Sequence, residues 1–191
     1  MIYETVITTV NKDKDVHIAP MGIRQEQGLY VIAPFRPSAT LRNMQETGNA
    51  VINLVDDVRI IAGCLTGRRS WALKKPTKVE GMVLDASLSH VEVKVETLVD
   101  DELRPSFHCR KVHEVSHSPF MGFNRAQAAV LEAAILMSRL EILPPDKIKN
   151  ELSYLEIAIE KTAGFREKIA WQWLMEKFDA YFQEQNTEVN V

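Results

Sequence analysis

The pattern of the chain changes once, near Ser118-Pro119, and that change limits the folds open to it. Ahead of this point the apolar residues recur as strands. Glu4-Thr5-Val6-Ile7-Thr8-Thr9-Val10 is rich in β-branched residues, and Asn11-Lys12-Asp13-Lys14-Asp15 reads as a polar hairpin turn into a second strand over 16–23. Residues 29–33 and 50–55 are short apolar runs, as expected of strands buried on both faces. Val91, Val93 and Val95 alternate with Glu92, Lys94 and Glu96, which predicts a half-buried strand with one wet face. Asp100-Asp101-Glu102 turns it back into a strand over 107–115. Six or more strands with short turns point to a closed or nearly closed antiparallel barrel.

Behind Ser118-Pro119 the period is helical. Residues 124–140 are rich in Ala, Leu, Ile and Met without Gly or Pro, a helix pattern. Pro144-Pro145-Asp146 opens a second helix to Thr162, and Gly164 stops it. A third helix over 166–182 brings Ile169, Trp173, Leu174 and Phe178 to a common face. The fold class is therefore α+β, mainly β: residues 1–118 form the barrel, 119–183 a helical region packed on it, and 184–191 a polar tail.

With 46% hydrophobic and 26% charged residues, 191 residues suffice for a real core. A net charge of −3 argues against a dedicated nucleic-acid binder. No apolar run approaches the length that spans a bilayer, and no basic segment leads into an apolar one at the N-terminus, so neither a membrane span nor a signal peptide is expected. Two cysteines, Cys64 and Cys109, make no disulfide framework and suit a reducing cytoplasm, as small core residues. His108 and His113 would face opposite sides of one strand, so no metal site is expected from the histidines of 108–117.

Residues 34–53 carry the most chemistry. Ser38 is a good N-cap for a short helix that ends at Gly48, and Arg36, Ser38 and Thr40 gather a guanidinium and two hydroxyls at its start. A helix start presents unpaired N–H groups and the positive end of its dipole, which suits a phosphate monoester. On physical grounds alone an ordinary capped surface helix with an exposed arginine carries more weight. Asn53, inside Val51-Ile52-Asn53-Leu54, is open to two readings, a buried structural hydrogen bond or a ligand contact. Asn124 reads as a helix N-cap, with Arg125 beside it able to face an anion.

Arg36-Pro37-Ser38-x-Thr40, followed by Thr47-Gly48 and Asn53, resembles the phosphate-binding segment of the flavin reductase-like, FMN-binding split-barrel proteins. His17-Ile18-Ala19-Pro20-Met21-Gly22 stands where that superfamily lays its isoalloxazine-contacting strand. Gly122-Phe123-Asn124-Arg125-Ala126 and the run to Gly164 resemble an uncharacterised branch that adds helices to the barrel. The resemblance implies a split β-barrel with a C-terminal helical region and FMN as cofactor. Arg36, Ser38 and Thr40 would hold the phosphate. His17, Ala19, Met21 and Gly22 would meet the ring, with Asn43, Asn53, Asn124 and Arg125 in support. It implies an oxidoreductase of unknown substrate acting as a homodimer, with Trp171, Trp173 and the Ala-rich helix as candidates for the interface. A non-enzymatic FMN-binding module (a sensor or flavin carrier) and a cofactor-free structural barrel are the alternatives. No side chain stands out as a catalytic acid or base.

Overall fold

The computed structural model describes residues 1–188. The elements follow as β1 Ile2–Val10, β2 Val16–Glu26, β3 Leu29–Ile32, α1 Ala39–Thr47, β4 Asn49–Leu54, α2 Val58–Leu65, β5 Leu73–Lys74, β6 Val83–Leu84, β7 Ser89–Val99, β8 Ser106–Ser116, α3 Arg125–Met137, α4 Pro145–Thr162 and α5 Phe165–Glu188. They divide into two units, residues 1–56 with 70–120, and residues 57–69 with the chain from 121.

In the first unit, six antiparallel strands close into a barrel in the order β1-β2-β3-β8-β7-β4. The turn 11–15 closes as expected, with the Asp15 N–H donating to Asn11 Oδ1 at 2.8 Å. The period of two divides the faces. Ile7 of β1, Ala50 and Ile52 of β4, and Val91 and Val93 of β7 fill the barrel with Ile23, Ile32, Phe107 and Cys109. Helix α1 sends Leu41 and Met44 into the same core. Its ends follow the sequence pattern: Ser38 Oγ accepts from the Leu41 N–H at 3.2 Å, and Gly48 takes a left-handed φ of 66° while its N–H donates to Met44 O at 3.0 Å.

The opposite face of β1, β4 and β7 is also covered, by residues 77–87. Thr8 Oγ1 donates to Met82 O. Asn53 Oδ1 accepts from the Leu84 N–H at 2.8 Å and from Ser87 Oγ at 3.1 Å. Glu92, with no exposed surface, accepts from the N–H groups of Thr77 at 2.7 Å, Lys78 at 2.5 Å and Val79 at 3.0 Å. This corrects the expectation that Glu92 stands on a wet face: alternation was right, but a chain segment replaces the water. Beside it, His90 Nε2 lies 3.4 Å from Glu92 Oε1, and His90 Nδ1 lies 2.8 Å from His117 Nε2.

The second unit packs α2, α3, α4 and α5 together. Helix α2 interrupts the region read as strands; its β-branched run Val58-Arg59-Ile60-Ile61 folds as a helix because Asp57 caps it, accepting from the Arg59 N–H at 3.1 Å, and because α3 and α5 cover its apolar face. Ala126, Ala129, Ala133 and Ala134 of α3 are buried within the chain, as is Trp171 of α5. The buried stripe of α5 keeps Leu174 from the face expected but runs through Ala170 and Trp171; Trp173 instead carries the Arg68 guanidinium 4.7 Å from its ring centroid. Of the residues offered from the sequence for an interface, Trp171 and these four alanines are buried within the chain and Trp173 is half-buried. Helix α5 continues to Glu188 through the stretch read as a polar tail, and residues 189–191 of that tail lie outside the described ones. Cys64 and Cys109 are both buried, and burial first of all pushes their thiols up, to about 11 and about 12. No helix among the described residues is long and apolar enough to cross a membrane.

Burial works to raise the Glu92 carboxyl pKa, but the three N–H donors and His90 outweigh it and hold the carboxyl below its ordinary value of 4.5. The His117 pKa is lowered from 6.5, by partial desolvation first and then by Lys74 and His90. Both groups therefore lose stability on the acid side: His117 as pH falls below its unfolded value, Glu92 as pH falls through its folded one. Urea unfolding midpoints should decline below about pH 6.5 and more steeply below about 4.5. Glu92→Gln should cost about 3 kcal/mol at pH 7, leaving N–H donors against an amide, and should flatten the steeper acid limb.

Candidate functional site

The start of α1 frames a hollow of about 460 Å³ lined by Arg36, Pro37, Ser38, Ala39, Leu41, Arg42 and Gln45. The helix caps itself, since Ser38 Oγ takes the Leu41 N–H, yet the other first-turn N–H groups have no partner further back in the helix. Two guanidinium groups stand at this positive end. Arg36 Nη2 lies 2.7 Å from Asp100 Oδ1, and its side chain stays 41% exposed. Arg42, one helical turn after Ser38, was not singled out in the sequence, although the i, i+4 spacing puts it on the face of the cap. Gln45 completes the same stripe. Thr40 differs from its expected place: it is 1% exposed and does not line the hollow.

Residues 17–22 lie within β2, which runs past the expected end at 23 to Glu26. They pair with β1 on one side only: β3 joins β2 from Ile23 onward. Val6 stands opposite Pro20, which has no N–H, and the Val6 carbonyl turns away to accept from Asn53 Nδ2 at 3.0 Å. The Pro20 carbonyl therefore also points away from β1, toward the edge that no strand of the described residues occupies. His17, Ala19 and Met21 share the face of Ile23, and Met21 packs against the barrel core. Gly22 is closely confined from β1, because a Cβ there would meet Ile2 Cγ2 at 2.8 Å.

The asparagines separate. Asn53 is fully buried and committed to protein: its Nδ2 donates to Val6 O, Thr8 Oγ1 at 3.1 Å and Val51 O at 3.3 Å, and its Oδ1 holds Leu84 and Ser87. Of the two readings open to it, the structural one describes these contacts. Asn43 is 2% exposed; its Nδ2 donates to Thr9 Oγ1 at 3.0 Å, and its Oδ1 has no partner among the described residues. Asn124 belongs to the helical unit, where it caps α3 by accepting from Ala126 N–H at 2.8 Å and Gln127 N–H at 3.2 Å and donates to Thr162 O at 3.2 Å. Arg125 is exposed in that unit.

The six-stranded closed barrel of the first unit is a fold shared with flavin reductase-like split-barrel structures. The chain belongs to the family of proteins of unknown function DUF447: residues 3–118 match its N-terminal domain and residues 124–176 its second domain. Among curated proteins none matches it. The chain is similar to the crystal structure of the FMN-bound protein MM1853 of Methanosarcina mazei, a DUF447 protein, with a TM-score of 0.80 at 18% identity over 92% of this chain and 94% of that one. It is also similar to the 2-nitrobenzoate 2-nitroreductase NbaA of Pseudomonas fluorescens, with a TM-score of 0.53 at 20% identity over 60% of this chain and 64% of that one. BorF, the flavin reductase component of a bacterial two-component tryptophan halogenase, matches with a TM-score of 0.52 at 13% identity over 62% of this chain and 82% of that one.

Because Ser38 supplies the only side-chain cap seen at α1, Ser38→Ala should destabilise the protein by about 1 kcal/mol. Chemical denaturation of the two proteins reads that difference.

Proposed function

We propose that the chain is an FMN-binding flavoprotein and an oxidoreductase of flavin reductase-like type, with the FMN phosphate held at the start of α1. One observation carries this: the hollow there joins two guanidinium groups, a hydroxyl and a helix N-terminus, the donor set of a phosphate monoester, in a chain whose family includes an FMN-bound member. Arg36, Ser38 and Arg42 would hold the phosphate, with the first-turn N–H of Ala39 beside them. The open edge of β2 over 17–22 offers main-chain groups to the dione edge of the ring, and Asn43 Oδ1 is a spare acceptor at the barrel end. FMN held here would supply the redox chemistry, as a hydride acceptor and electron carrier. The protein's part is to bind, orient and shield the ring. Asn53 and Asn124 serve by holding the barrel seam and the start of α3.

A cytoplasmic homodimer belongs to the same reading. Apolar side chains for such contacts stand exposed in the helical unit at Met121, Phe123 and Phe165. Light scattering of the FMN-loaded protein should return twice the mass of one chain.

Arg36→Ala should weaken FMN binding by about one to two decades, the worth of a charge-assisted hydrogen bond, and leave the fold intact. Arg36→Lys should fall between, since it restores the charge without the planar fork. Fluorescence titration of flavin-stripped protein measures both, and unchanged affinity in Arg36→Ala would remove the phosphate from this hollow. Stopped-flow mixing with NADH and with NADPH tests the enzyme: a reductase bleaches the bound flavin within turnover time, whereas a flavin carrier or sensor leaves it oxidised.

A further inference from the structure

Arg36 stands between two hollows. One is the α1 hollow; the other, of about 490 Å³, is lined by Arg36, Asp100, Asp101 and Glu102. Its guanidinium is engaged on the acidic side, with Nη2 at 2.7 Å from Asp100 Oδ1. The position of Asp100 is not left to a floppy loop. The Arg36 N–H donates to Leu103 O at 2.9 Å, Arg104 Nε donates to Ala33 O at 2.8 Å, and the Arg104 guanidinium lies 4.9 Å from the centroid of the Phe35 ring. Asp101 Oδ1 accepts from the N–H groups of Leu103 at 2.9 Å and Arg104 at 2.6 Å and so shapes the turn. These bonds fasten the 100–104 turn against residues 33–36 and set one carboxylate within reach of Arg36.

We propose that Asp100 is an affinity- and specificity-determining residue: its carboxylate occupies the Arg36 guanidinium in the absence of ligand, and a phosphate monoester must take the guanidinium from it. The inference rests on the reading of the α1 hollow as the phosphate site. Asp100 is 78% exposed, so the pair it makes is weak and easily exchanged. A phosphate dianion backed by Arg42 and a helix start offers the same fork a stronger partner. A flavin without a phosphate has nothing to exchange for Asp100 and leaves the pair intact. The acidic turn thereby tunes how firmly the protein holds phosphorylated flavin without touching the ring.

The test uses the full chain stripped of flavin and titrated with FMN and, separately, with riboflavin, followed by flavin fluorescence. Removal of the competitor in Asp100→Asn should tighten FMN about two- to fivefold, the range of an exposed ion pair, and leave riboflavin unchanged. In an Arg36→Ala background Asp100→Asn should lose most of its effect on FMN and keep no more than the gain of Glu102→Gln, since the two act mainly through one contact. Glu102→Gln removes the same charge from the same hollow and should give a smaller gain. Weaker FMN binding in Asp100→Asn would overturn the proposal, because Asp100 would then be orienting Arg36 for the phosphate. Equal gains in Asp100→Asn and Glu102→Gln, or no gain in Asp100→Asn while Arg36→Ala loses FMN, would overturn it too. If Arg36→Ala binds FMN as the parent does, the phosphate site itself fails and this inference falls with it.

Discussion

Closure of the barrel rests on a short seam. Strand β1 meets β2 along its whole length but β4 over only three residue pairs, Val6 with Asn53, Ile7 with Ile52 and Thr8 with Val51. The Asn53 side chain reinforces that seam, reaching back to the Val6 carbonyl and Thr8 hydroxyl on β1 while gripping Leu84 and Ser87 on the covering segment. A buried amide with all its capacity used is stabilising, whereas the same amide half-satisfied would cost more than an apolar residue. Two neighbouring groups work alike: Thr8 holds Met82, and Glu92 holds residues 77–79. The core inside the barrel is apolar, but the fit of its outer layer is set by these few polar side chains.

Much of this was legible in the sequence where the cause is local. The hairpin turn 11–15, the Ser38 cap and the Gly48 stop are decided by residues within a few positions, and each stands as expected. What failed depended on distant chain. Glu92 looks wet from its neighbours, because nothing in Val91-Glu92-Val93 tells that residues 77–79 will bring three N–H donors to it. Val58-Arg59-Ile60-Ile61 has strand-like composition, yet α3 and α5 give it a helical setting. In α5 Leu174 is buried as expected, but Trp173 looks like core and instead stacks under Arg68.

The candidate site was legible as residue types and less so as contacts. Arg36 and Ser38 are where the pattern places them, but Thr40 turns inward and Arg42 joins the hollow in its stead as a side chain. Asp100 lies 64 residues from Arg36, beyond any local spacing argument. The same limit explains Asn53 and Asn43. Both are polar residues in apolar surroundings, yet one is fully satisfied by protein while the other keeps an orphan oxygen. A net charge of −3 also hides that the start of α1 is locally cationic.

The discontinuous make-up of the helical unit has a consequence for synthesis. Residues 57–69 leave the ribosome well before α3 and α5, which supply the cover for α2. Until α3 is made, Val58, Ile60, Ile61 and Cys64, all buried in the finished unit, lack the helices that cover them, and the cover is complete only with α5. The nascent chain therefore carries an adhesive helix between β4 and β5 in sequence, and cutting the gene at the visible boundary near Ser118 would make that state permanent.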